Sequence, residues 1–202
     1  MSNEKDQLGE RGRSLEGEYF RRRDQELLDR AREVEAAAER RRHLAAALGM
    51  EGIEGKAGKA DDAVLATLVA LGFEGGTAPL LDVVPAIQVA WADGSLPASE
   101  RAEIERILAR PGMKEAARLG GRMVAEWLSR QPGGDLYRVS IEALRLRLAR
   151  LDGDARTRLV SSIIDDCNAV AAASGGVFGL GAHSSAESKI IRELAASFGV
   201  KS

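Results

Sequence analysis

One phrase occurs twice in this chain. Val89-Ala90-Trp91-Ala92-Asp93-Gly94 is matched by Val170-Ala171-Ala172-Ala173-Ser174-Gly175. Beyond each break the pattern continues in step, with Glu100, Ile104 and Ile107 answered by Glu187, Ile191 and Leu194. Apolar residues at three- and four-residue spacing on both sides of a small, polar break predict a helix, a tight loop and a second helix. One such hairpin cannot bury its own apolar stripe. Two can bury theirs against each other, whereas a solenoid would need at least about three copies. The repeat therefore predicts an all-α bundle built around two helix–loop–helix units, and the breaks along the rest of the domain bring the expected number of helices to about seven.

The rest of the chain agrees. Hydrophobic residues make up 45% of the 202 and aromatics only 4%. Ala, Leu, Arg and Glu dominate, and such side chains lose little entropy in a helix. No stretch alternates as a strand would. A domain of about 140 residues buries roughly two-thirds of the surface of its unfolded chain, so a real core is available.

Bulk charge and cysteine content exclude several functions. The net charge of -2 supplies no global field toward nucleic acid or a membrane surface. The single cysteine, Cys167, rules out an internal disulfide and any Cys-based zinc site. The longest apolar run, Ala63 to Phe73, is too short to span a bilayer. The first residues are polar, with no apolar signal core. These features predict a cytoplasmic protein that neither inserts into membranes nor binds nucleic acid.

Four regions follow from the punctuation. Residues 1–13 are polar, hold Gly9 and Gly12, and predict a disordered tail. Residues 14–48 lack proline and have no glycine after Gly17. Glu18–Arg22 and Glu26–Arg30 stand at the spacing that supports an exposed helix. A heptad frame runs through Phe20, Asp24, Leu27, Ala31, Val34, Ala38, Arg41, Ala45 and Leu48. Large residues alternating with alanine predict a long, coiled-coil-like helix that packs closely on a protein partner or a second copy, with an antiparallel partner suited to the alanines. The partner face comprises Tyr19, Phe20, Leu27, Val34 and Leu48. Residues 49–60, with four glycines, read as a linker. Residues 61–202 carry the bundle. Within it Asp61 or Asp62 is expected to cap the first helix, and Pro85 to kink the second.

The chemistry-bearing residues are few. Asp93-Gly94…Glu100 resembles the second half of a calcium-binding EF-hand loop, with Asp93, Leu96 and Glu100 at its fifth, eighth and twelfth positions. Val89 and Trp91 would occupy the first and third and cannot ligate calcium, which takes six to eight oxygens. A divalent cation here would need further carboxylates, such as Asp165 or Asp166. The competing reading comes from the second copy. Ser184-Ser185-Ala186-Glu187 has the form of a capping box, in which the serine and glutamate each satisfy a free amide at the helix start. Glu100 occupies the same place in the first copy, with Pro97 where the serine stands, so helix capping is its primary expectation. Cys167, beside Asp165 and Asp166, is expected to be a buried small hydrophobe, and Trp91 and Trp127 to be core. The glycine-rich Gly175–Gly181 stretch follows no strand and precedes no Lys-Ser/Thr, so it is not a phosphate-binding loop. His183 reads as a surface histidine. No catalytic triad or histidine-rich metal motif is present, and the chain is expected not to be an enzyme.

Asp93-Gly94-x-Leu96…Glu100, its helical surroundings and the DCNAVAAASGG loop resemble the tellurite-resistance TerB superfamily over roughly residues 61–200. The resemblance implies an all-α bundle associated with metal or phage stress, in which acidic loop residues, here Asp93 and Glu100, hold divalent cations. The segment LEGEYFRRRDQELL, through Glu16, Glu18, Tyr19, Phe20 and Arg21, resembles the start of the inhibitory helix of the mitochondrial ATPase inhibitor. That likeness implies a regulatory helix acting on a rotary ATPase.

Overall fold

Helix-forming residues fill almost every segment, and the computed structural model is all-α. It describes the backbone of residues 3–50, 59–173 and 184–199, and the side chains of residues 18–50, 61–173 and 184–199. Most of the linker, the Gly175–Gly181 loop and His183 lie outside the described residues. No strand occurs among those described.

The first helix, α1, spans Asn3–Leu48. It starts eleven positions before Ser14, where the sequence places its beginning. Gly9 and Gly12 do not end it, since each glycine inside a helix costs only about 1 kcal/mol relative to alanine. Residues 1–39 form one compact unit and residues 40–202 a second.

In the first unit the side chains from Glu18 to Glu35 are all exposed. Among them are the large apolar residues Tyr19, Phe20, Leu27, Leu28 and Val34. Tyr19 and Phe20 meet edge to face, with ring centres 5.8 Å apart. Asp29 accepts hydrogen bonds from Gln25 and Arg32.

The second unit holds the core. The end of α1 contributes Leu44, Ala45 and Leu48, followed by Met50. Then come α2 (Lys59–Ala70), a 3₁₀ helix (Gly75–Asp82), α3 (Val84–Ala90), α4 (Ala98–Leu108), α5 (Lys114–Leu119), α6 (Gly121–Ser129), α7 (Gly134–Leu148), α8 (Gly153–Ala173) and α9 (Ser185–Ser197). Two of the seven expected helices are thus broken in two. The segment around Pro79 and Pro85 is a 3₁₀ helix followed by α3. Pro85 falls in the first turn of α3, where its missing N–H is not needed. The segment after Met113 divides at Gly120. There a Cβ would come within 2.5 Å of Leu80 Cδ1 and 3.2 Å of the Ala116 carbonyl. Glycine lets α5 and α6 close onto the 3₁₀ helix.

The two half-repeats, α3–α4 and α8–α9, pack on each other. α8 lies against α3, α4 and α9, and α3 also touches α9. Matching positions are buried together: Val89 and Val170, Ala90 and Ala171, Ile107 and Leu194. α7 packs on α2 and α3.

Ion pairs join the layers. Arg150 reaches Asp61 at 2.6 Å, Arg147 reaches Asp82 at 2.8 Å, and Arg110 reaches Asp166 at 2.6 Å. Asp61 therefore lies in the first turn of α2, where a carboxylate complements the helix dipole, and is not its cap. Burial raises the Asp82 carboxyl above its usual range although Arg147 opposes the shift. No single helix among the described residues is long and apolar enough to cross a membrane.

Candidate functional site

The loop between α3 and α4 is built outward from a fixed tryptophan. Trp91 closes α3 and is almost fully buried. Its indole N–H donates to the Trp127 carbonyl at 2.9 Å, and its own carbonyl accepts from Gln131 Nε2 at 3.1 Å. The chain then turns through Gly94, whose φ of 86° lies in the left-handed region that favours glycine. The Gly94 amide donates back to the Trp91 carbonyl at 3.0 Å.

Asp93 is exposed, and its Oδ1 accepts from both the amide and the hydroxyl of Ser95, each at 2.9 Å. This is a side-chain-closed turn of the kind aspartate favours. The two bonds hold its carboxyl below the ordinary range. Leu96 then packs partly into the core. The Arg101 guanidinium ties the start of α4 to the Leu128 carbonyl.

Glu100 does not cap α4. In the second copy the capping box is complete. The Glu187 amide donates to Ser184 Oγ at 3.1 Å, and the Ser184 amide donates to Glu187 Oε2 at 2.6 Å. Pro97 occupies the cap of α4 and makes no side-chain capping bond. Proline has neither a hydroxyl to accept the amide of Glu100 nor an N–H to offer its carboxylate. Glu100 is nevertheless only 3% exposed, and its Oε2 is buried without a hydrogen-bond partner. Burial, then the charge of Glu187, then that of Asp93, raise its carboxyl from 4.5 to about 7. The expectation of a capping role for Glu100 is corrected here. The same geometry puts the charges of Glu187 and Asp93 each within electrostatic reach of Glu100, and local pattern in the sequence does not show that Glu187 lies near it.

Among the described residues no group of three or more His, Cys, Asp or Glu side chains is placed to bind a metal ion. Asp166 is engaged by Arg110, and Asp165 lies exposed in a groove with Arg110 and Arg158. Cys167 is buried, and its thiol is pushed up to about 12, chiefly by that burial and then by Asp166. It is a core residue, as are Trp91 and Trp127.

The partner face divides. Tyr19, Phe20, Leu27 and Val34 are between 55% and 69% exposed. Leu48 is 3% exposed and packs in the bundle core. Its place in the partner face is corrected: the same heptad continues past Glu39, but the bundle takes its last turns. Leu28, also 54% exposed, joins the open face, although the heptad frame passes over it.

One further feature is not legible in the sequence. The end of α2, the 3₁₀ helix, α5, α6 and the start of α7 enclose a groove of about 640 Å³ lined by Leu71, Thr77, Leu119, Met123 and Trp127, among others. Leu119 is 52% exposed at its edge. Periodicity does mark α5 and α6 as amphipathic, but only the break at Gly120 sets their side chains around a concavity.

No protein-family model, no curated protein and no solved structure matches this chain.

Proposed function

We propose that this protein is a non-enzymatic, cytoplasmic interaction protein. In this reading the helical bundle carries a helical arm, and the arm engages a protein partner. The observation that carries it is the exposed row Tyr19, Phe20, Leu27, Leu28 and Val34 on a helix whose described side chains from Glu18 to Glu35 are all exposed. Isolated helices draw most of their stability from burying an apolar face, and aromatic anchors of this kind dominate interfaces. The TerB-like residues of the bundle favour a stress-response setting. The test is a paired pull-down with the full chain and its Phe20→Asp variant. A partner kept by the first and lost by the second supports the reading, and identical sets on both baits overturn it.

A second reading is a divalent-cation module at Asp93 and Glu100, favoured by the unpartnered Glu100 oxygen. A cation there would complete its shell with water, which suits Mg²⁺ better than Ca²⁺. Titration with each ion should raise the melting temperature of the native chain and not of Asp93→Ala. An unchanged melting temperature would sink it.

A further inference from the structure

The open face of α1 has a pattern that selects its own occupant. Phe20, Leu27, Ala31, Val34 and Ala38 fall within a stripe roughly 60° wide at about 100° per residue. Asp24 lies on its margin, and the stripe alternates large residues with alanine. All of these positions belong to the unit that ends at Glu39.

Two such stripes can meet in parallel or antiparallel. In a parallel, in-register pair like meets like. Asp24 would face the partner's Asp24 across the margin of the seam, setting two like charges in one layer. Ala31 and Ala38 would face the partner's Ala31 and the partner's Ala38, leaving gaps, while the two Phe20 rings crowd a single layer. In the antiparallel pair the layers complement. Phe20 meets the partner's Ala38, Leu27 meets the partner's Ala31, and Val34 meets the partner's Asp24, which lies near the edge of the stripe. On one flank Leu28 meets the partner's Leu28 across the two-fold axis. On either side of that contact Arg21 stands opposite the partner's Glu35. On the other flank Arg30 faces the partner's Arg30, with Glu26 and Glu33 of its own helix within one turn of it.

We infer that α1 pairs with α1 of a second copy of this chain as an antiparallel two-helix coil centred near Leu28, with large residues against alanines and Arg21 opposite the partner's Glu35. The inference rests on the reading of the arm as an interaction helix and specifies its partner. Covering Phe20, Leu27, Leu28 and Val34 of both copies, together with the alanines between them, removes on the order of 1,000 Å² from water, about the lower limit for a specific interface. A two-fold pairing of the same patch on both subunits closes on itself and does not polymerise.

The experiment is sedimentation equilibrium of the full chain across the micromolar range, with a charge swap and cysteine cross-linking. The native chain should be a dimer. Arg21→Glu and Glu35→Arg should each weaken it about fivefold in dissociation constant, and the double variant should recover it. Leu28→Cys should form a disulfide-linked dimer. Arg21→Cys should not link to itself but should link when mixed with Glu35→Cys. Native Cys167 is fully buried and does not compete. A monomer at every concentration, or self-linking by Arg21→Cys, overturns the antiparallel pair. If the chain is monomeric while Phe20→Asp still strips a different protein from the pull-down, the interaction arm stands and only self-pairing falls.

Discussion

Pro97 offers Glu100 no donor: the residue that caps α4 has no N–H, and the carboxyl three positions later is buried with its Oε2 unpartnered. The consequence is a pH dependence with a definite sign. An acid whose folded pKa of about 7 exceeds its starting value of 4.5 holds a proton in the fold that the unfolded chain has released. Stability therefore falls as pH rises from about 4.5 to 7. Allowing for solvent screening, the Glu100 share is on the order of 2 kcal/mol. Asp82 and Asp166 act in the same direction, so the native chain must be compared with Glu100→Gln. Urea unfolding should show the variant more stable than native at pH 8 and equal to it near pH 5. The same difference at both values would show that Glu100 is not buried as a neutral acid.

Restoring the donor should reverse the effect. Pro97→Ser recreates the Ser184–Glu187 arrangement in the first half-repeat. It should lower the Glu100 pKa and flatten the stability profile between pH 5 and 8, with a gain of about 1 kcal/mol at pH 8 typical of a helix cap. The carboxyl carbon of Glu100, followed by NMR, should titrate at lower pH in the variant. An unmoved midpoint would refute the missing-donor explanation.

Leu48 and Phe20 share a heptad but should behave oppositely. Leu48→Ala removes a buried side chain and should cost about 2–5 kcal/mol of unfolding free energy. Phe20→Asp, on an exposed face, should change bundle stability by less than about 0.5 kcal/mol. A chain beginning at Arg40 should unfold cooperatively. One beginning at Asp61 lacks Leu44, Ala45, Leu48 and Met50 and should be markedly weaker to urea. Equal midpoints for the two truncations would contradict the core assignment of the α1 C-terminus.

Gly120→Ala tests the closure of α5 and α6 on the 3₁₀ helix. The added methyl would press on Leu80 and on the Ala116 carbonyl, which belongs to the backbone and cannot swing away. A loss of about 1–3 kcal/mol is expected in thermal or urea unfolding. A neutral substitution would mean that the helices can part there without cost.

Cys167 should be silent in the folded chain. It is fully buried, and its thiol is raised to about 12, so almost no thiolate exists at pH 8. A thiol reagent should react at the rate of unfolding in buffer and at once in denaturant. Rapid labelling of the native chain would overturn its burial.

Much of the architecture is legible in local pattern. The Val89 and Val170 phrases, the spacing of Ile104 and Ile191, and Ser184 with Glu187 each report a helix end or a helix face through residues close together in the chain. That is why the all-α class, both helix–loop–helix units and the α9 capping box could be read in advance. Glu100 departs from the pattern of Glu187 because equivalence in a repeat is not equivalence in hydrogen bonding. One proline in the cap position removed both the hydroxyl and the N–H that the box requires.

What the sequence by itself determined are periodicities: where helices run, which stripe of each is apolar, and that the stripe of α1 alternates large and small. Only the tertiary structure decided which stripes are covered. The heptad that reads evenly from Phe20 to Leu48 divides near Glu39, because the bundle buries Leu44, Ala45 and Leu48 and leaves Phe20, Leu27 and Val34 open. It also decided that Glu187, far along the chain, lends its charge to Glu100. Periodicity is a property of neighbours on one helix, whereas burial and charge coupling depend on residues brought together from different helices by packing.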